Sequence, residues 1–508
     1  MEIFQGLLIL LVLAVLLAAC ARRLKLPYPS LLALGGTALT LLPNPPALTL
    51  DPRLTLALFV APALLDSAFD ASLRDLKRYW IPVMSLVVIA VAVTTIAVAC
   101  LIHYMLPGVP WAAAIAIGAI VAPPDAVAAS AVLRRLNIPH RMLMILEGES
   151  LLNDATALLI YRIAVSIALG TTLTSANMGM QAGAMVLSVV AGFGLAHFYT
   201  RLVAKVSDVP SAIVLQFAGA FGVWIIADEV GLSAIVTIVA FAITAARITA
   251  QRTPASLRIP SYAVWETVVF VLNVLAFVLI GLQLRPILGS LEADERSHYL
   301  RIAGAVLVTV MLVRIAWVFT YNRIAVLKHR LLGAGKWPGA YVPTLSGSLV
   351  VSWAGMRGMV TLAAAYALPA EFPYRDLALL CAFVVVVGTL VVQGLTLRPL
   401  ILALGIKGDG TVENEVKAAQ EALAQVAAEI IDADGSATAL VLRDEFVMRR
   451  GDTADGCENV RDARNRVRAR IVAAQRDKLV RMRDGAEIGD DAFHQLEERL
   501  DRIEILVQ

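Results

Sequence analysis

Residues 147–154 read Glu147-Gly148-Glu149-Ser150-Leu151-Leu152-Asn153-Asp154, a polar motif set inside an apolar stretch that runs from Met142 to Leu169. A stretch of that length can cross a bilayer, which takes about 20 mostly apolar residues. Asp154 then falls near its middle. An ionisable side chain at that depth costs at least about 2.5–3.5 kcal/mol, so it faces a cavity or a partner and marks an ion or proton path. Positions four apart share a helix face. Glu149 therefore stacks over Asn153 and Ser150 over Asp154, giving the helix one stripe of oxygen ligands. The bland alternative is a polar cluster that only glues helices together.

The rest of the chain must hold that stripe in lipid. Of its 508 residues, 59% are hydrophobic and 16% charged. Soluble domains are about 45–50% apolar, so the expected class is an all-α polytopic membrane protein. Apolar runs give thirteen candidate spans, at 4–20, 30–42, 51–68, 80–105, 110–132, 142–169, 180–204, 210–227, 230–248, 263–287, 299–322, 347–368 and 376–403. Alternate loops carry the basic residues, among them Arg22, Arg23 and Lys25, then Arg74, Lys77 and Arg78, then Arg134, Arg135 and Arg141, and later Arg323, Lys328, Arg330 and Lys336. The positive-inside rule then puts the N-terminus outside and the C-terminus in the cytoplasm. The N-terminus lacks the basic region and cleavage site of a signal peptide, so the first span reads as a retained helix. A composition led by alanine, leucine, valine and arginine suits a bacterial inner (plasma) membrane. Cys20, Cys100, Cys381 and Cys457 are scattered, without metal or disulfide spacing, and read as packing residues. No cofactor is expected.

From about Ile406 the composition turns charged and alanine-rich. Residues 406–508 read as a cytoplasmic helical tail, with helices near Val416–Ile431, Val460–Arg483 and Asp491–Leu506 and a turn over Gly485–Asp490. It is either a regulatory or dimerising module or a solvated appendage. Its arginines, Arg461, Arg464, Arg466, Arg468 and Arg470, are interleaved with acids and lack an aromatic platform, which argues against nucleic acid.

Two spans are broken. The fifth holds Pro123-Pro124-Asp125. Each proline removes an amide donor and clashes with the preceding turn, and the freed carbonyls are tolerated only against a cavity or protein. The twelfth holds Gly355-Met356-Arg357-Gly358. Breaks at matching places in two halves point to a transporter built from an inverted repeat. Arg357 needs a partner in lipid, and Glu149 is the expected one. Asp66 is placed at the ion entrance and Asp70 at the interface beside Arg74. Asn273 is expected to hydrogen-bond across helices. Glu266 and Arg314 are given no ion role. An intramembrane hydrolase using Ser150 is disfavoured, since no Gly-x-Ser-x-Gly elbow is present and no histidine lies at mid-membrane in this half. A channel is disfavoured because the polar groups gather at the midplane.

The segments Glu147–Asp154, Ala122-Pro123-Pro124-Asp125-Ala126-Val127 and Gly355–Gly358 together resemble the sodium/proton antiporters of the monovalent cation:proton antiporter-1 family, over residues 1–405. The resemblance implies about thirteen transmembrane helices in inverted repeats, with spans 5 and 12 crossing as broken helices. A core of spans 4–6 and 11–13 would move against a dimer-forming scaffold of spans 1–3 and 7–10. Asp154 would be the carboxylate that binds the metal ion or proton, with Asn153 beside it and Ser150, Asp125 and Asp66 as further site residues. Glu149 and Arg357 would form a buried pair. Many members have threonine where this chain has Pro124, which removes a hydroxyl and an amide from the site. The expected activity is electroneutral exchange of Na⁺, or K⁺ or Li⁺, for H⁺ in pH and cation homeostasis, by a homodimeric transporter rather than an enzyme. Its partners are monovalent cations, protons and the lipid bilayer. The alternative is a proton-coupled carrier of a small organic solute.

Overall fold

The structure is a computed structural model, and it describes residues 2–41, 52–69, 71–133, 136, 138–170, 175–206, 208–252, 254–289, 291, 293–332, 344–434 and 458–505. Asp70, Arg134, Arg135, Lys336 and Cys457 lie outside them. The apolar runs noted above lie mainly on helix. The membrane part comprises α1 (Glu2–Leu24), α2 (Tyr28–Leu39), α3 (Leu56–Phe69), the short α4 (Leu73–Arg78), α5 (Trp80–Met105), α6 (Trp111–Val121), α7 (Ala126–Leu133), α8 (His140–Ala168), α9 (Ser175–Val203), α10 (Val209–Glu229), α11 (Ala234–Arg252), α12 (Ala255–Leu282), α13 (Ala293–Leu332), α14 (Leu345–Trp353), α15 (Met359–Tyr366) and α16 (Arg375–Ala403). Among the described residues seven helices are long and apolar enough to cross a membrane, with α3, α6 and α11 as shorter apolar helices. The molecule is therefore a multi-pass membrane protein. Its exposed Phe193, Phe198, Val186 and Leu312 are what a lipid-facing surface presents.

Local signals start the helices where the chain needs them. Ser72 caps α4 by accepting the Asp75 amide at 3.2 Å, Asp208 caps α10 through the Ser211 amide, and Thr344 caps α14 through the Gly347 amide. Lipid offers no hydrophobic drive for helix pairing, so small residues let backbones meet. Gly36 of α2 and Gly281 of α12 do this, since a β-carbon on either would fall on the other helix's backbone. Gly118 of α6 likewise sits against the Thr95 carbonyl of α5.

The buried apolar residues form two main clusters. The larger joins α2, α5, α6, α12, α13 and α16, and the smaller joins α3, α9, α10 and α11. α8 stands between them, giving Met142, Leu146 and Tyr161 to the first and Leu151 to the second. His140 opens α8, directly after Pro139 at the cap position. The tail forms α17 (Thr411–Asp434), α18 (Glu458–Asp484) and α19 (Asp490–Ile505), close to the expected bounds. They pack on their own core of Leu423, Leu479, Phe493, Leu496 and Leu500.

Candidate functional site

α6 stops at Val121 and α7 starts at Ala126, with Pro123 and Pro124 in the gap. Opposite, α14 stops at Trp353 and α15 starts at Met359. The two gaps touch. The Asp125 amide donates to the Met356 carbonyl at 2.6 Å, while the Asp125 carboxylate caps α7 by accepting the Val127 amide at 2.9 Å. Only a glycine fits at position 358, because a β-carbon there would overlap the Asp125 carboxylate.

Arg357 fills the gap between the breaks. Its Nε donates to the Val121 carbonyl at 3.1 Å and its Nη2 to the Ala122 carbonyl at 3.1 Å. Its Nη1 donates to the Gly355 carbonyl, and its own amide donates to Thr389 Oγ1 at 3.0 Å. A helix that ends in mid-membrane leaves its last carbonyls without partners, and the guanidinium supplies them. Arg357 is thus satisfied by backbone oxygens.

The expected pairing of Glu149 with Arg357 is therefore corrected. Glu149 is held by Arg314 of α13 in a two-pronged ion pair, Nη1 to Oε1 at 2.5 Å and Nη2 to Oε2 at 2.8 Å. Both side chains are almost fully buried. Arg314 Nη2 also reaches the Val351 carbonyl at 3.1 Å in the last turn of α14. Its guanidinium passes through the space that a side chain at Gly355 would occupy, so that glycine serves the arginine of another helix. Arg314 carries the same signal as Arg357, a charge far inside an apolar run, and that signal alone could have marked it as a partner.

Asn153 is completely buried and donates Nδ2 to the Pro124 carbonyl at 2.8 Å. It stitches α8 to the proline break, and its Oδ1 has no hydrogen-bond partner among the described residues. One turn-face away, the wall of a cavity of about 440 Å³ carries Glu147, Ser150 and Asp154 from α8, Pro123, Pro124 and Asp125 from the break, Asp66 from α3, and Glu266 and Asn273 from α12. Asp154, Ser150, Asp125 and Asp66 are thus brought together as expected, whereas Asn153 and Glu149 lie behind the wall. Glu266, given no ion role from the sequence, faces the same space. Asp154 is 6% exposed and makes no hydrogen bond or ion pair among the described residues. Asp125 is its electrostatic neighbour.

Helix geometry gives the cavity a direction. At 1.5 Å per residue, Asp154 lies about 20 Å along α8 from His140 and Glu147 about 10 Å. Ser67 near the end of α3 and Ser130 on α7 also line the cavity. It therefore leads from Asp154 toward the face that carries the tail. At that entrance Trp265 of α12, which no sequence motif singles out, donates its indole N–H to Asp66 Oδ1 at 3.1 Å and stacks on Phe217 of α10, ring centroids 4.8 Å apart.

Comparison with known proteins bears on the fold and the family. The sodium, potassium, lithium and rubidium/H(+) antiporter of Bacillus subtilis (strain 168) is 28% identical over 540 residues, covering 100% of this chain and 78% of that protein. The uncharacterized Na(+)/H(+) exchanger YjcE of Escherichia coli (strain K12) is 29% identical over 501 residues, covering 90% of each. Among solved structures, the sodium proton antiporter MjNhaP1 from Methanocaldococcus jannaschii superposes with a TM-score of 0.58 at 19% identity, covering 80% of this chain and 99% of that one, a likeness of fold. The family model described as "Sodium/hydrogen exchanger, transmembrane" matches residues 8–403, the whole helical region that holds the two breaks and the cavity, and the chain belongs to that family.

Proposed function

We propose that the cation:proton exchange of this family runs here at Asp154, one monovalent cation against one proton. The observation that carries the reading is the state of the buried charges. Glu149 and Arg314 are paired with each other and Arg357 is held by backbone carbonyls, while the Asp154 carboxylate faces the cavity with no partner among the described residues. A carboxylate taken out of water is unfavourable in its charged form. It is neutralised either by a proton or by a hard cation, which oxygen ligands suit, and the two compete for one site. Asn153 cannot change charge, so one proton balances one cation and the cycle is electroneutral.

Ser150, Asp125 and Asp66 complete the site, Asp125 by adding negative potential beside Asp154 and Asp66 at the entrance under the hold of Trp265. The paired breaks support an inverted repeat with two crossing half-helix pairs. We assign spans 4–6 and 11–13 to a body that rocks against spans 1–3 and 7–10, which also form the contact between two copies. The loop charges support an outside N-terminus and a cytoplasmic tail in a bacterial inner membrane. The family favours an inorganic cation over an organic solute.

The test is the purified protein in liposomes with an imposed pH gradient. Na⁺, K⁺ or Li⁺ on the opposite side should dissipate the gradient, and Asp154→Asn should abolish the response. An imposed membrane potential should leave the rate unchanged. A working Asp154→Asn protein would remove the carboxylate from the mechanism, and a strong response to potential would overturn the stoichiometry.

A further inference from the structure

The family match ends at residue 403, yet the tail beyond it is tied to the membrane helices by buried charge. Arg258, in the first turns of α12, is 2% exposed. Its Nε and Nη2 grip Asp501 of α19 at 2.8 Å each, and its Nη1 donates to Glu497 of the same helix. Glu497 and Asp501 are themselves buried, and Arg476 of α18 holds Asp501 from the other side at 2.8 Å.

The opposite end of α19 is held elsewhere. Asp491 lies 3.4 Å from Nδ1 of His140, the first residue of α8, and Asp75 lies 3.1 Å from its Nε2. The His140 amide also donates to Asp409, at 3.4 Å. Beside this contact, Glu415 of α17 accepts from Arg74 at 2.8 Å and from the Gly489 amide at 2.9 Å, fixing the turn that leads into α19.

One tail helix therefore joins the starts of α8 and α12. From Asp491 to Asp501 it spans about 15 Å. These are the two helices that face each other across the cavity, α8 with Asp154, Ser150 and Glu147, α12 with Glu266 and Asn273. The cavity leads toward this same face.

We propose that α19 is an autoinhibitory strap. Anchored on α8 through Asp491 and on α12 through Glu497 and Asp501, it keeps the two cavity walls at one separation and slows the exchange cycle until an anchor lets go. The inference rests on the function proposed for Asp154, in which these walls move against each other during transport. A tie across two bodies favours the conformer in which both ends fit and opposes any other in proportion to its own strength.

The experiment uses the full chain in liposomes, with two readouts: the initial rate of cation-driven proton flux per transporter, and the rate at which trypsin cuts the tail. Glu497→Gln with Asp501→Asn removes the α12 anchor from the tail side without touching a membrane helix. Tail cleavage should accelerate, and the flux should rise by at least about fivefold, the lower end of ordinary allosteric coupling. Arg258→Glu should behave the same way, and adding Glu497→Arg to it should return both readouts toward the wild type. Faster cleavage with unchanged or lower flux would show a docked tail that is no brake and would overturn the proposal, as would unchanged cleavage. An Asp154→Asn control that still carried flux would instead overturn the role given to that carboxylate, and a rise in flux on releasing the anchor would support the strap whichever residue carries the ion.

Discussion

Replacing Glu149 tests which arginine is its partner. The ion pair with Arg314 has two charge-assisted hydrogen bonds, at 2.5 and 2.8 Å, between side chains that are 2% and 3% exposed. Hydrogen bonds to charged groups each contribute about 1.5–3 kcal/mol. Removing one member of a buried pair strands the other charge, at about 3–5 kcal/mol. Glu149→Gln and Arg314→Gln should each destabilise the protein by that amount. The double variant should cost less than the sum, because the second change removes the charge the first left stranded. A coupling of about 2–3 kcal/mol is expected, the upper range for residues in direct contact. The same cycle with Arg357→Gln should give a coupling below about 1 kcal/mol, since Arg357 is bonded to the Val121 and Ala122 carbonyls instead. The assay is reversible unfolding in mixed micelles, titrated with a denaturing detergent, for the three single variants, the two double variants and the wild type. If the Arg357 cycle coupled as strongly as the Arg314 cycle, the assignment of partners would be refuted.

Gly358→Ala should fold poorly or lose flux by at least about 100-fold, because the added carbon overlaps the Asp125 carboxylate and an ångström of misplacement is costly at a transport or catalytic site; normal flux and normal thermal stability would contradict the contact. Asn153→Asp should make exchange respond to an imposed potential, since a second group can then change charge beside Asp154, and a potential-independent variant would tell against the stoichiometric argument. Pro124→Thr should leave the fold intact, because the carbonyl that Asn153 binds at 2.8 Å survives the change, and a comparison of Na⁺ and K⁺ rates reads whether the restored hydroxyl alters preference. Burial alone would raise the Asp75 carboxyl, but the hydrogen bond from His140 and the charges of Arg74 and His140 outweigh it and hold it below the ordinary carboxylate range. Its contribution is therefore complete above about pH 4 and is lost as pH falls through the lowered value; Asp75→Asn should reduce thermal stability at neutral pH and flatten the decline in acid.

The outline of the site is legible in the sequence because lipid makes polar residues conspicuous. Asp154 stands out in an apolar run, and two prolines or two glycines at mid-span announce the breaks. Contacts between distant segments are not legible. Glu149 and Arg314 are 165 positions apart, and no local pattern distinguishes Arg314 from Arg357 as a partner. Trp265 belongs to no motif, and its part shows only where its indole N–H meets Asp66. Arg258 reads as one more cytoplasmic positive charge, of the kind that orients a helix. In the fold it is consumed by two tail carboxylates, and the tail that composition leaves between module and appendage is bolted to the membrane helices.

The proline break also bears on how finely an arriving ion is measured. Val121 and Ala122 point their carbonyls at a guanidinium, the Pro124 carbonyl receives the Asn153 amide, and the Met356 carbonyl receives the Asp125 N–H. These rigid main-chain oxygens, the usual material of a sizing ring, are already engaged by the protein itself. The chamber of about 440 Å³ is lined instead by side-chain carboxylates on jointed stems. Several waters fit there at about 30 Å³ each, so the expected outcome, if the proposed site is the ion's, is an alkali ion docked still partly hydrated and neighbouring members of the series told apart only coarsely.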